Sequence, residues 1–226
     1  MGYRKAGINF VLRGRGDSGS VFLIHGLFMT SHVMLPIARH LRRNGFDCFG
    51  YDYPTRIHSV AEHGRVLAEN LQTFERERFH VVTHSMGALL LRSAVAHSPR
   101  LAERIGRVVM IAPPNKGSDV ASFWYDRIWP RRLIVPLEDL RSEADSRIHA
   151  LPAPDLEIGV LAAEHDGAVR YPYTFLPTEK DRLVLPSSHT LILLRRDAAR
   201  AVERFLRTGT FRGDSRASGA PVTTPS

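Results

Sequence analysis

The sequence predicts an α/β fold, a mostly parallel sheet covered by helices on both faces, with a short cap-like insertion. Three observations carry this. Apolar runs such as Ser20-Val21-Phe22-Leu23-Ile24 are continuous rather than alternating, the pattern of strands buried on both faces. Segments with helical apolar spacing separate these runs, so strand and helix alternate along most of the chain. Finally, Phe79-His80-Val81-Val82 leads through Thr83-His84-Ser85-Met86-Gly87 into the small-residue helix that starts Ala88-Leu89-Leu90, which predicts a sharp strand-to-helix turn with a serine at its apex.

In order, residues 8–12 read as a strand, 14–19 as a turn and 20–24 as the first fully buried strand. Residues 32–44 have helical spacing closed by Gly45 as a C-terminal cap, and a strand follows over 46–52. A second helix over 59–78 places Val60, Val66, Leu67, Leu71 and Phe74 on one face. The strand at 79–82 and a helix over 86–98 come next, the helix ended by Pro99. Residues 107–112 and 156–163 predict two more buried strands, 182–185 a short last one, and 195–206 the closing helix.

Residues 113–155 interrupt the alternation with turn-rich ends, the aromatics Phe123, Trp124, Tyr125 and Trp129, and a helical stretch over 137–148. An insertion there overhangs the carboxyl ends of the strands, where open α/β sheets bind ligands. The other reading is that these aromatics fill a local core. Residues 1–208 are therefore expected to form one domain, with 209–226, rich in Gly, Ser, Thr and Pro, a disordered tail.

Composition narrows the function. At 43% hydrophobic and 24% charged residues the chain has the balance of a globular protein. Its one cysteine, Cys48, excludes an internal disulfide and sits in a strand as a small hydrophobe. The net charge of +8 is almost all arginine, spread as pairs such as Arg42-Arg43, Arg131-Arg132 and Arg195-Arg196, with neither a block nor a module for nucleic acid. No specific nucleic-acid role is expected, while transient attraction to an anionic membrane surface stays open. Met1-Gly2-Tyr3-Arg4-Lys5 lacks the apolar core of a secretory signal and no stretch has the length of a membrane span, so the expected location is the cytoplasm. Oligomeric state is not legible.

A serine hydroxyl becomes a useful nucleophile when an imidazole takes its proton and a carboxylate fixes that imidazole. Asp166 follows a strand, in Glu164-His165-Asp166-Gly167, with Glu164 as the rival acid; His189 follows the last strand, in Pro186-Ser187-Ser188-His189, and no other histidine follows Asp166. Backbone donors for a developing oxyanion would be the amides of Met86, after the serine, and Leu27, in the loop His25-Gly26-Leu27-Phe28 after an earlier strand. His25 and His84 are expected to hold these loops by hydrogen bonds. The other histidines show no metal-ligand spacing, so no metal and no cofactor is expected.

On these residues the chain resembles an α/β-hydrolase fold esterase or lipase of the bacterial kind, from about residue 20 to 206. The segment Ala112-Pro113-Pro114-Asn115-Lys116-Gly117-Ser118 is similar to the Pro-x-x-Gly-Ser/Thr segment of lipase-like proteins. The resemblance implies Ser85 as nucleophile, His189 as general base and then acid, Asp166 as its orienting carboxylate, Leu27 and Met86 as oxyanion donors, and a small ester or lipid-like molecule as substrate. One departure is Thr83, where the Gly-x-Ser-x-Gly pattern has its first glycine; a modest distortion of the turn is expected there. Phe28, Met29, Trp124 and Tyr171 are candidate walls of an apolar acyl pocket, with plain packing as the alternative. The same three side chains would also serve acyl transfer, thioester or amide cleavage, and a hydrolase-fold binding protein with little turnover is the reading from another class.

Overall fold

A computed structural model describes residues 6–127, 134–143 and 146–212. Among the described residues seven strands form one sheet: β1 (Gly7–Leu12), β2 (Ser20–Ile24), β3 (Asp47–Asp52), β4 (Phe79–His84), β5 (Ile105–Ile111), β6 (Glu157–Ala163) and β7 (Glu179–Leu185). Their spatial order is β1-β3-β2-β4-β5-β6-β7, with only the edge strand β1 antiparallel to its neighbour. All β2 residues are buried, which accounts for its unbroken apolar run, whereas no residue of β1 at the edge is fully buried.

The helices are α1 (Leu35–Arg43), α2 (Val60–Gln72), α3 (Gly87–His97), α4 (Leu101–Arg104), α5 (Asp119–Arg127), α6 (Pro136–Asp139) and α7 (Arg196–Thr208). One face of the sheet packs α2, α3 and the insertion through Phe22, Leu67, Leu71, Leu89 and Leu137. The other face packs α1 and α7 through Leu23, Ile37, Leu41, Val202 and Phe205. Both faces are thus covered, as the alternation predicts.

Several boundaries differ from the sequence expectation. The helix expected over 59–78 starts on a capping box, in which Ser59 and Glu62 satisfy each other's backbone amides, but it stops at Gln72. Phe74 is pulled out of register into an aromatic cluster, with ring centroids 5.4 Å from Phe22, 4.9 Å from Phe49 and 5.2 Å from Phe79. The helical stretch expected over 137–148 is only α6 and a later 3-10 turn at Arg147–Ala150; Asp139, the last residue of α6, accepts from the Val60 amide at 2.7 Å through its side chain and so ties the insertion to the start of α2. The four-residue α4 is too short for periodicity to reveal. Strand β7 begins three residues earlier than expected, at Glu179.

Gly209 caps α7 at φ 78°, and Phe211 is buried 4.9 Å from Phe205, with its amide on Asp181 at 2.6 Å. The ordered chain therefore passes the expected boundary at 209. The rest of the expected tail, 213–226, together with Trp129 and Arg131-Arg132, lies outside the described residues. Cys48 is buried, and burial pushes its thiol up to about 12, which suits a packing role. Among the described residues no helix is long and apolar enough to cross a membrane.

Candidate active site

Ser85 sits between β4 and α3 at φ 51°, a left-handed backbone that a non-glycine residue holds only where its surroundings enforce it. Its amide is fixed to the Ile111 carbonyl at 2.9 Å, which ties the turn to β5. The crossing of α3 over the sheet falls at Gly87, where an added Cβ would lie 2.7 Å from the carbonyl oxygens of both Ile24 and His25. Thr83 does not bear that close approach. It keeps its strand pairing with Ile24 and Met110, so the distortion expected at this position does not appear.

The structure brings Ser85, His189 and Asp166 together. His189 Nε2 lies 3.0 Å from Ser85 Oγ, and His189 Nδ1 lies 2.8 Å from Asp166 Oδ2. With Nδ1–H donating to the carboxylate, Nε2 is left as acceptor for the serine hydroxyl. Asp166 is itself held: Oδ1 accepts from the amides of Ala168 at 2.9 Å and Val169 at 2.7 Å. Its side chain is 1% exposed, while that of the rival Glu164 is 58% exposed and turned toward His165.

His84 backs the imidazole. Its Nε2–H donates to the His189 carbonyl at 2.9 Å, and the two rings are 4.8 Å apart. Burial, reinforced by the neighbouring His189, lowers the His84 pKa to about 3, so it stays neutral behind the His189 ring. His25 is fully buried, stacked 4.4 Å from Tyr53, whose hydroxyl donates to the His25 carbonyl at 2.8 Å. This fixes the loop that carries Gly26 and Leu27. Gly26 comes so close to the turn that an added Cβ would lie 2.9 Å from Ser85 Cβ. Among the described residues the Leu27 and Met86 amides donate to no protein acceptor, so both remain free for a ligand oxygen.

Beside Ser85 and His189 lies an apolar cavity of about 230 Å³, walled by Leu27, Phe28, Met29, Trp124, Leu137 and Val169 among others. A second apolar hollow of about 270 Å³ shares Phe28, Trp124 and Leu137 and adds Ile134. Three of the four pocket residues expected from sequence are therefore wall residues. Tyr171 is not: it packs 5.3 Å from Phe175 under the Arg182 guanidinium, drawn away by that stack.

Sequence reasoning missed the struts that seat the insertion over the site. Buried Arg92 of α3 donates to the carbonyls of Asn115 at 3.2 Å and Leu151 at 2.5 Å, and Asn115 donates in turn to the Thr174 carbonyl at 3.0 Å. Ser118 Oγ donates to the Ala168 carbonyl at 2.5 Å, joining the insertion to the Asp166 loop. The 112–118 segment was the available signal. Among the described residues no cluster of three or more ligating side chains could hold a metal.

Comparison with known proteins follows the same lines. A family model described as alpha/beta hydrolase fold matches residues 19–134. A probable lysophospholipase of Arabidopsis thaliana, BODYGUARD 4, is 26% identical over 131 residues, covering 53% of this chain and 31% of its own, so the chain spans about a third of that relative. Among solved structures, the carboxylesterase CesB of Bacillus subtilis superposes with a TM-score of 0.61 at 14% identity, over 87% of this chain and 86% of that one. A Bacillus licheniformis lipase in its propeptide form gives 0.71 at 18% identity, over 93% and 55%.

Proposed function

The chain belongs to the alpha/beta hydrolase fold family, and from that premise we propose that it cleaves carboxylic esters through an acyl-enzyme on Ser85. The observation that carries this reading is the continuous relay from Asp166 through His189 to Ser85, at 2.8 and 3.0 Å, at the mouth of an apolar cavity. Ser85 Oγ attacks the ester carbonyl carbon as its proton passes to His189 Nε2. The carbonyl oxygen, now negative, is received by the amides of Leu27 and Met86. His189 then gives the proton to the departing alcohol and takes another from an incoming water; the resulting hydroxide attacks the acyl carbon, the bond from that carbon to Ser85 Oγ breaks to release the acid, and His189 returns its proton to Oγ.

The cavity supports a short apolar acyl group. Its 230 Å³ falls below the range of about 300–1,000 Å³ that encloses drug-sized ligands. The neighbouring hollow behind Trp124 extends the apolar surface without adding a charge. The test is hydrolysis of a chain-length series of p-nitrophenyl esters by the parent and by Ser85→Ala. Turnover that falls by about 10⁴-fold or more in the variant, with the fold intact, supports the mechanism. Equal rates in parent and variant would refute it, as would failure of a fluorophosphonate probe to label Ser85 in the folded parent.

A further inference from the structure

The face opposite α2 and α3 carries a charge pattern that the serine chemistry does not use. Between α1 and α7 runs a groove of about 330 Å³ lined by Arg39 and Arg43 from α1, by Arg196 and Arg200 from α7, and by Arg195, His40 and Leu194. Arg195 is held by Asp197 at 2.6 Å and His40 by Glu203 at 2.8 Å. Among the described residues the other four arginines meet no carboxylate. Each helix sets its pair four residues apart, a spacing at which like charges repel along the helix. The fold keeps this unfavourable arrangement on two adjacent helices and leaves it open to solvent.

Apolar groups flank the charge. Leu191 and Leu194 lie on the 3-10 turn Leu191–Leu194 that joins the His189 loop to α7, and they are 58% and 63% exposed. The helices α1 and α7 follow the Leu27 loop and the His189 loop respectively, so their N-terminal ends lie toward the rim of the candidate site. Unpaired arginines beside protruding leucines are what an anionic bilayer surface recognises: the guanidinium groups meet phosphate headgroups, and the leucine tips enter the acyl boundary. A nucleic acid backbone would satisfy the arginines and leave the two leucines against charged phosphate.

We propose that the α1–α7 face, with Leu191 and Leu194, binds the surface of an anionic phospholipid membrane. Binding there brings the rim of the site to the lipid without requiring that the serine react. The experiment is flotation of the full chain with phosphatidylcholine vesicles made with and without phosphatidylglycerol. Variants are Arg39→Gln/Arg43→Gln/Arg196→Gln/Arg200→Gln, Leu191→Ser/Leu194→Ser, and a charge-matched control with Arg65, Arg78, Arg100 and Arg147 replaced by Gln.

The parent is expected to float only with phosphatidylglycerol present. Each arginine near an anionic surface is worth about fivefold in partitioning, so the quadruple groove variant should lose at least about tenfold, while the control keeps most of its binding. The leucine variant should bind more weakly and release completely at high salt, because its remaining attraction is screened. Ser85→Ala should float like the parent, which separates this proposal from the hydrolase reading. Equal binding to neutral vesicles, equal loss in the groove variant and the control, or no flotation would each overturn it. So would binding of duplex DNA through these arginines without any binding to vesicles.

Discussion

Thr83→Val is expected to stabilise the protein. Thr83 is fully buried in β4, paired with Ile24 and Met110, and its hydroxyl oxygen has no hydrogen-bond partner among the described residues. Valine replaces that hydroxyl with a methyl of nearly the same shape and keeps the β-branch that suits a strand. Burying an unpaired hydroxyl costs about 1–3 kcal/mol, and this cost is removed while packing is retained. For a domain of this size each kcal/mol moves Tm by about 2–4 °C, so a rise of about 3–6 °C is expected for a gain near the middle of the lower half of that range. Thr83→Gly, which restores the full Gly-x-Ser-x-Gly pattern, should do the reverse, losing about 2–4 kcal/mol through a void and a flexible strand residue. The assay is thermal and urea unfolding of the three proteins by circular dichroism, alongside hydrolysis of a short ester, which Thr83→Val should leave unchanged. A folded Thr83→Val protein with an unchanged or lower Tm would show that the hydroxyl is satisfied after all, and the reasoning would fail.

Asp166→Asn should lower ester turnover by about 10⁴-fold by removing the acceptor that fixes the His189 tautomer, while Glu164→Gln, at an exposed site, should change nothing; the reverse outcome in steady-state kinetics would reassign the acid. Acid should unfold the protein early. Burial lowers His63 to about 4 and His84 to about 3, so both stay neutral in the fold while the unfolded chain protonates them below about 6.5. The unfolded state then binds more protons, and stability falls as pH drops from 6.5 toward 4 by up to about 1.4 kcal/mol per pH unit for each group. Urea titrations across that range should show the slope, reduced by about one proton in His63→Leu; a flat profile in the parent contradicts it. Gly87→Ala should both destabilise the fold and abolish probe labelling at Ser85. Its Cβ meets two backbone carbonyls at 2.7 Å that cannot move without shifting β2, so wild-type labelling would mean that the turn tolerates the shift.

How much of this was legible depends on how local the cause is. Strands β2, β5 and β6 are readable because central burial forces continuous apolar runs, and Ser85, Asp166 and His189 stand out in the sequence because they directly follow β4, β6 and the apolar end of β7. The sequence pattern shortens β7 because Glu179, Lys180 and Asp181 look like loop residues. At the sheet edge their charges are satisfied by Arg182, by Glu157 and by the chain after α7. The end of α2 is not legible locally because Phe74 continues the helical spacing in sequence, while its partners Phe22, Phe49 and Phe79 come from three different strands.

The same distinction separates the three proposed catalytic side chains from the pocket. A nucleophile, an imidazole and a carboxylate are fixed by short segments whose geometry the local sequence dictates, so chain order is enough to bring them to one edge of the sheet. The walls depend on which way loops fold once other groups compete for them. Tyr171 and Val169 lie two residues apart on the loop after the acid, yet only Val169 lines the cavity, because the Arg182 guanidinium and Phe175 offer the tyrosine ring a better stack on the far side. Arg182 in turn is placed by Glu179 and Thr174, and no spacing rule links those residues to an acyl pocket. Substrate class therefore has to be argued from the assembled walls, and reaction type from the sequence that holds Ser85.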